Sequence, residues 1–273
     1  MGNQPPPSPL ATPLAWDLVA PGYAEEVVGH FTLYSADALE MARPQADERV
    51  LDVAAGPGTL SLQAAALARE VVAIDFSAKM LAELRARMNA RGVENVAVHE
   101  GDGQALPFDD ASFDAAFSMF GLMFFPDRAK GFSELYRVLR PGGRAVVSSW
   151  QPMPGVPFFW AVIEALSAEL PNLPLGDGKG PLCDPEVFKQ EMSAAGFEVV
   201  VEERVHGNQW PNVDVCWASV RKSFAPLVLL EHKMPKADFE QLAANIRRRI
   251  GEKFSGAVDV QMAAWLGLGR KPG

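Results

Sequence analysis

A chain of 273 residues with 48% apolar and 22% charged side chains can bury a sizeable core and has the composition of a globular protein. Its net charge of −9 argues against an electrostatic grip on nucleic acid, which needs Lys and Arg facing phosphates. The two cysteines, Cys183 and Cys216, offer neither a disulfide framework nor metal-ligand spacing, which fits a reducing cytoplasm.

The chain begins M-G-N-Q-P-P-P-S-P-L, without the basic and long apolar stretches of a secretion signal. Position 6 is proline, not the Ser or Thr of a myristoylation motif, and residues 1–12 are expected to form a disordered tail. Residues 13–43 read as helices broken at Pro21-Gly22. An apolar strand then enters Asp52, followed by the small-residue turn Ala54-Ala55-Gly56-Pro57-Gly58 and a helical stretch over 58–68. A second apolar strand, 71–75, closes on Asp75, 23 residues after Asp52. Strand, glycine turn, helix, strand and terminal acid make a nucleotide-binding βαβ unit. The glycines let the backbone approach a ligand, and the acid accepts from a ribose diol. The dinucleotide pattern G-x-G-x-x-G fits poorly, because Ala54 replaces its first glycine and Ser61 its third.

Residues 78–91 have helical periodicity, and a third strand over 95–99 leads into Gly101-Asp102-Gly103-Gln104-Ala105-Leu106-Pro107-Phe108. A fourth strand spans 113–118, a helix 126–139, and Arg140-Pro141-Gly142-Gly143 reads as a helix stop turning into a fifth strand at 145–150. Helix 158–170, a Pro- and Gly-rich loop, helix 186–195 and a sixth strand over 198–205 follow. Residues 206–253 are helical in pattern and too long for an ordinary connection. Within them, Arg247-Arg248-Arg249 is read as a helix's last turn, where cations favour the dipole. Alternating strands and helices imply a parallel sheet with right-handed crossovers. No apolar run approaches the ~20 residues of a membrane span.

Four ordered segments carry a family resemblance: D-V-A-A-G-P-G, A-I-D-F-S, G-D-G-Q-A-L-P-F and L-R-P-G-G. With them the chain resembles the S-adenosylmethionine-dependent methyltransferases of Rossmann-like fold, over roughly residues 50–150. It looks closest to the small-molecule branch that includes the ubiquinone/menaquinone-biosynthesis C-methyltransferases. The resemblance implies an α/β, doubly wound, mostly parallel seven-stranded sheet of order 3-2-1-4-5-7-6 with its last strand antiparallel. It also implies one domain over 13–273: an N-terminal helical cover (13–43), a cofactor-binding core (50–150) and a substrate lid (206–253).

Carried over by position, Asp52 would hold the methionine amino group of the cofactor, S-adenosylmethionine. Gly56 and Gly58 would let the turn pass close to it, with Ala54 in place of the commonest glycine. Asp75 would accept both ribose hydroxyls, and Phe76 and Met80 would flank the adenine. Asp102 would accept from the adenine amino group, with the backbone of Gly103 and Gln104 near the ring. Ser118 would offer its carbonyl to the methionine amine. The Asn-Pro-Pro-Tyr-like run of many base-modifying methyltransferases is replaced by Ser118-Met119-Phe120-Gly121.

The acceptor side is read from apolar side chains. Residues 119–125 are rich in large ones, and Trp150, Phe158, Phe159 and Trp160 crowd the fifth strand. Most aromatics at such spacing belong to a core. Phe120, Met123 and Trp150 at the strand rim, with Trp16 and Tyr23 closing from the N-terminal side, point to an apolar small molecule. Methyl transfer to an amine or thiolate can proceed by positioning alone, whereas a phenol or carbon acid usually needs a base. His30, His206 and Tyr23 are the candidates for one. The expected activity is transfer of a methyl group to an O, N or C atom of that molecule by a cytoplasmic monomer or homodimer, without metal. A protein or RNA acceptor, a nicotinamide oxidoreductase and a non-catalytic binder are the competing readings.

Overall fold

The computed structural model describes residues 8–173 and 177–273. Seven strands form one sheet: β1 (Arg49–Val53), β2 (Glu70–Asp75), β3 (Val96–Glu100), β4 (Phe113–Ser118), β5 (Leu139–Trp150), β6 (Glu198–Trp210) and β7 (Val258–Arg270). Their order is 3-2-1-4-5-7-6, with β7 antiparallel to both neighbours and the other pairings parallel, as the family resemblance implied.

Because strand side chains alternate, the apolar runs feed two cores. Val50, Val71, Ala73, Ala115 and Phe117 face α2 (Val28–Ala42), α3 (Thr59–Ala64) and α4 (Ala78–Arg91). Leu51, Val53, Val72, Ala116 and Val147 face α5 (Arg128–Val138) and α7 (Pro185–Ala194). A third core joins α6 (Pro157–Glu169), α8 (Val213–Ser223), α9 (Ala225–Lys233) and α10 (Lys236–Lys253) to Val258 and Val260 of β7. Phe158, Trp217 and the neighbouring Phe159, Trp210 and Phe224 are spent there. Helix starts follow local chemistry: Ser77 accepts from the Met80 amide, Asp127 from Lys130 and Asn212 from Val215. Gly92, at φ 64°, ends α4.

The structure departs from the sequence reading at several points. Residues 1–7 of the expected tail lie outside the described residues, but Pro9–Ala11 form a 3-10 turn. Ser8 caps that turn, and the Trp16 indole donates to the Leu10 carbonyl at 2.8 Å, which fixes it. The expected break at Pro21-Gly22 is absent: α1 (Pro13–Glu26) runs through it and stops at Val27. A proline costs one backbone donor, and Gly22 is needed where α1 crosses α8. A Cβ there would lie 2.3 Å from the Lys222 carbonyl oxygen. The sixth strand continues past residue 205 to Trp210, paired with β7 throughout, so His206 belongs to a strand and the helices begin at Val213.

The N-terminal helices are locked to the sheet by Arg144, only 8% exposed. Its guanidinium donates to the carbonyls of Ala42 and Arg43 and to both carboxylate oxygens of Glu48, at 2.6–3.0 Å. Removing one partner of a buried pair strands the other, at a cost of about 3–5 kcal/mol. Arg144→Ala is expected to lower unfolding stability by about that amount in urea titration, and Arg144→Lys, with no fork to offer, by a large share of it.

Candidate active site

The strand order reverses between β1 and β4, and the carboxyl ends of β1, β2 and β4 open there into one cavity. Its empty volume is about 1080 Å³, part of it open to solvent. Ligand pockets sit at the switch points of such sheets.

Asp52 and Asp75 lie on the cavity wall, 1% and 6% exposed. Burial pushes the Asp52 carboxyl up to about 7, against the pull of its bonds from Ser61. The Ser61 hydroxyl donates to it at 2.5 Å, so the residue standing where a dinucleotide motif has glycine serves this acid instead. Burial likewise pushes Asp75 up to about 6, opposed by the Ser77 and Gly56 amides and helped by Asp17. Gly56 N–H donates to one Asp75 oxygen and Ser77 N–H to the other, each at 2.8 Å. The second acid thereby holds the glycine turn of the first.

The turn is shaped by left-handed backbone. Gly56 (φ 55°) faces open space, where any side chain would enter the cavity. Gly58 (φ 75°) does not line it; a Cβ there would meet the Leu84 side chain at 2.1 Å, so its role is to seat α4. Ala54 adopts φ 56°, which costs an L-residue about 1 kcal/mol. Phe76, Met80, Asp102, Gly103 and Gln104 all line the cavity. Gln104 braces its loop: its side chain donates to Asp102 at 3.0 Å and accepts from the Asp127 amide at 2.9 Å. Gly103 is packed so closely that a Cβ would lie 2.5 Å from Phe125.

The rest of the wall is aromatic. Tyr23 stacks on Phe31 (5.6 Å, 15°), Phe31 packs on Phe120 (5.0 Å), and Trp16 leans on Phe124 (5.3 Å). Of the residues expected at the site, Trp16, Tyr23 and Phe120 line the cavity. Trp150 does not; it stacks beneath Phe120 at 3.9 Å and backs it. Met123 and Ser118 also turn away. Met123 packs in the opposite core, and the buried Ser118 hydroxyl accepts from the Leu122 amide.

Neither histidine reaches the cavity lining. His206 Nε2 pairs with Asp37 Oδ2 at 2.6 Å, behind α2. His30 is pushed toward its neutral form by burial and then by His206, and its buried Nε2 has no hydrogen-bond partner among the described residues. Tyr23 does line the cavity, but burial and then the Asp75 charge push its phenol up, so it stays protonated and can offer a hydrogen bond without serving as a base. Phe31, Ser35, Thr59, Leu10 and Ala11 also line it, and the sequence did not mark them as site residues. The spacing Phe31, Ser35, Ala38, Leu39 marks a buried helical face, but not that part of it borders a cavity.

A family model described as a methyltransferase domain matches residues 50–143. A demethylmenaquinone methyltransferase of Thermus thermophilus is 37% identical over 206 residues, which cover 67% of this chain and 91% of that protein. The demethylmenaquinone methyltransferase of Clavibacter sepedonicus is 43% identical over 127 residues, 46% of this chain and 51% of that one. Among solved structures, the YcgJ protein of Bacillus subtilis superposes with a TM-score of 0.62 at 20% identity, covering 89% of this chain and 99% of the other. The [4+2]-cyclase SpnF gives 0.62 at 21% identity over 99% of both chains, a likeness of fold alone. Sheet order, switch-point cavity and this relationship together establish that the chain belongs to the S-adenosylmethionine-dependent methyltransferase family of Rossmann-like fold, in its small-molecule branch.

Proposed function

We propose that this protein transfers a methyl group from S-adenosylmethionine to an O, N or C atom of an apolar small molecule, mainly by in-line positioning. The observation that carries the reading is the pair of buried acids, Asp52 and Asp75, at adjacent strand ends in one cavity with an aromatic wall. A carboxylate taken out of water without a counter-charge is costly, which is why both are pushed up. A ligand bringing a cation and paired hydroxyls offsets that cost. The open space over Gly56 is a cradle that any side chain would fill.

Asp52 would take the cofactor's ammonium, Asp75 its ribose diol and Asp102 its adenine amino group. Phe76 and Met80 would flank the adenine, and the backbone of Gly103 and Gln104 would border it. When bound, the cofactor supplies an activated methyl on a sulfonium. The chain's own residues orient and exclude water: Trp16, Tyr23, Phe31, Phe120 and Phe124 form the apolar wall against which a planar acceptor would lie. Helices α1 and α2 act as the cover, and the segment expected to be a lid backs that cover, with α9 packed on α1 and no residue of 206–253 on the cavity lining. Tyr23, whose phenol burial keeps protonated, would be available to donate a hydrogen bond to a ligand oxygen. A quinone precursor is the first acceptor to test, because the Thermus relative is a demethylmenaquinone methyltransferase.

Incubation with methyl-labelled S-adenosylmethionine and host extracts fractionated by polarity is expected to label an apolar fraction. Label in nucleic acid or protein would overturn the acceptor class. Asp75→Ala is expected to weaken S-adenosylmethionine binding by more than tenfold in calorimetric titration, since the diol loses its paired acceptor; unchanged affinity would remove that role.

Asp52 gives a pH prediction for the free protein. Its folded value, about 7, lies above the ordinary 3.8, so between those values the folded state binds a proton that the unfolded state does not. Stability of the free protein therefore falls as pH rises from about 4 to about 7, and Asp75 adds a slope of the same sign up to about 6. Asp52→Asn is expected to flatten this slope and stabilise the free protein at pH 8 by about 2 kcal/mol, read by denaturant titration across pH. The same variant should lose S-adenosylmethionine affinity.

A further inference from the structure

Among the described residues seven serines are buried, and five have a hydrogen-bond partner for the hydroxyl. Ser61 donates to Asp52, Ser77 to Asp17 and Ser149 to the Pro181 carbonyl. Ser118 and Ser148 accept from backbone amides, and Ser219 lies beside the Glu26 carboxylate. Ser35 is the exception: it is 1% exposed and makes no side-chain hydrogen bond among the described residues.

A serine inside a helix ordinarily turns its hydroxyl back to the carbonyl four residues earlier. Thr32, three residues before Ser35 in the same helix, does so to Val28 at 2.8 Å, and Ser223 does so to Ser219. Ser35 leaves that option unused. Its hydroxyl is also not sealed in the protein, since His30 Nε2 is the side-chain atom found both sealed and unpartnered among the described residues. The remaining direction is the cavity, which Ser35 lines together with Phe31, one helical turn away on the same face of α2.

An unmet hydroxyl on an apolar wall costs stability until something bonds it. Such isolated polar groups fix a ligand's orientation in an otherwise apolar pocket. No Lys, Arg or His lines this cavity among the described residues, while Asp52, Asp75 and Asp102 do. A ligand oxygen that needs a donor must therefore find a neutral one.

We propose that Ser35 is a ligand-recognition residue whose hydroxyl donates to a hydrogen-bond-accepting oxygen of a molecule in the cavity. Two sources share that chemistry: the carboxylate of the cofactor and an oxygen on the acceptor's ring. The assignment rests on the reading of this cavity as a site for cofactor and acceptor. It adds to that reading the requirement that one polar contact on α2 discriminates oxygenated ligands from bare apolar ones.

The test compares wild type with Ser35→Ala by calorimetry and tryptophan fluorescence, using four probes: S-adenosylhomocysteine, 5′-methylthioadenosine (which lacks the carboxylate), 1-naphthol and naphthalene. Thermal midpoints are measured alongside. Ser35→Ala is expected to keep the midpoint of the free protein, because no bond within the protein is removed. It is expected to weaken one oxygen-bearing probe about 5- to 20-fold and spare its oxygen-free partner. Loss for S-adenosylhomocysteine with 5′-methylthioadenosine unchanged assigns Ser35 to the amino-acid end of the cofactor, which carries the carboxylate. Loss for 1-naphthol with naphthalene unchanged assigns it to the acceptor. Unchanged affinity for all four probes overturns the proposal, as does a lowered midpoint with equal loss within each pair. Failure of the wild type to bind S-adenosylhomocysteine would remove the cofactor reading, and the naphthol pair would still decide on Ser35.

Discussion

A carboxylate withdrawn from water at the end of a strand needs compensation, and much of the architecture around this cavity supplies it. Asp75 receives two backbone amides, one from the turn after β1 and one from the start of α4. Asp52 receives a hydroxyl from the first turn of α3. Each bond joins elements from different parts of the βαβ unit, so the glycine turn, the two strands and both helices are held in one geometry. These bonds only partly offset the desolvation, since both acids remain pushed above the ordinary carboxylate range. The site thus retains an unspent electrostatic demand that a cationic, hydroxyl-bearing ligand can meet.

The second determinant is how the N-terminal helices are fastened over that demand. Arg144 clamps the end of α2 against β5 and Glu48. Tyr34 donates to the Met262 carbonyl, and Asp37 pairs with His206, tying the middle of α2 to β7 and β6. Asp17 of α1 accepts from the Ser77 hydroxyl and the Lys79 amide, beside Asp75. The covering helices are therefore bonded to the same β2–α4 corner that carries Asp75, and the aromatic wall they bring is positioned by polar contacts outside the cavity.

Much of this was legible in the chain. Strands β1, β2 and β4 are short apolar runs closed by an acid or a small polar residue, and their alternation with amphipathic helices dictates a parallel sheet. The cavity-lining acids and Gly56 and Gly103 follow from local motifs, because those groups stand where their own backbone places them. The acceptor half was less legible. Trp150 and Met123 have the residue types of a pocket wall but lie one layer behind it, since an apolar side chain at a strand rim is equally suited to either place. Ser35 and Phe31 carry no local signal, because their role arises from where α2 docks. The extent of β6 was missed for a related reason: its polar outer half is held by pairing with β7, not by an apolar pattern of its own.

Ala54 and Gly121 constrain each other's history. With the alanine methyl in its left-handed pose, a Cβ on residue 121 would lie 2.3 Å from it. The two sites share room for a single carbon. A lineage can exchange Ala54 for glycine and relieve strain at once, whereas growth at 121 is barred until that exchange has occurred. Mutational order is therefore written into the loop: one substitution is permissive, the other contingent, and the reverse path passes through a clash.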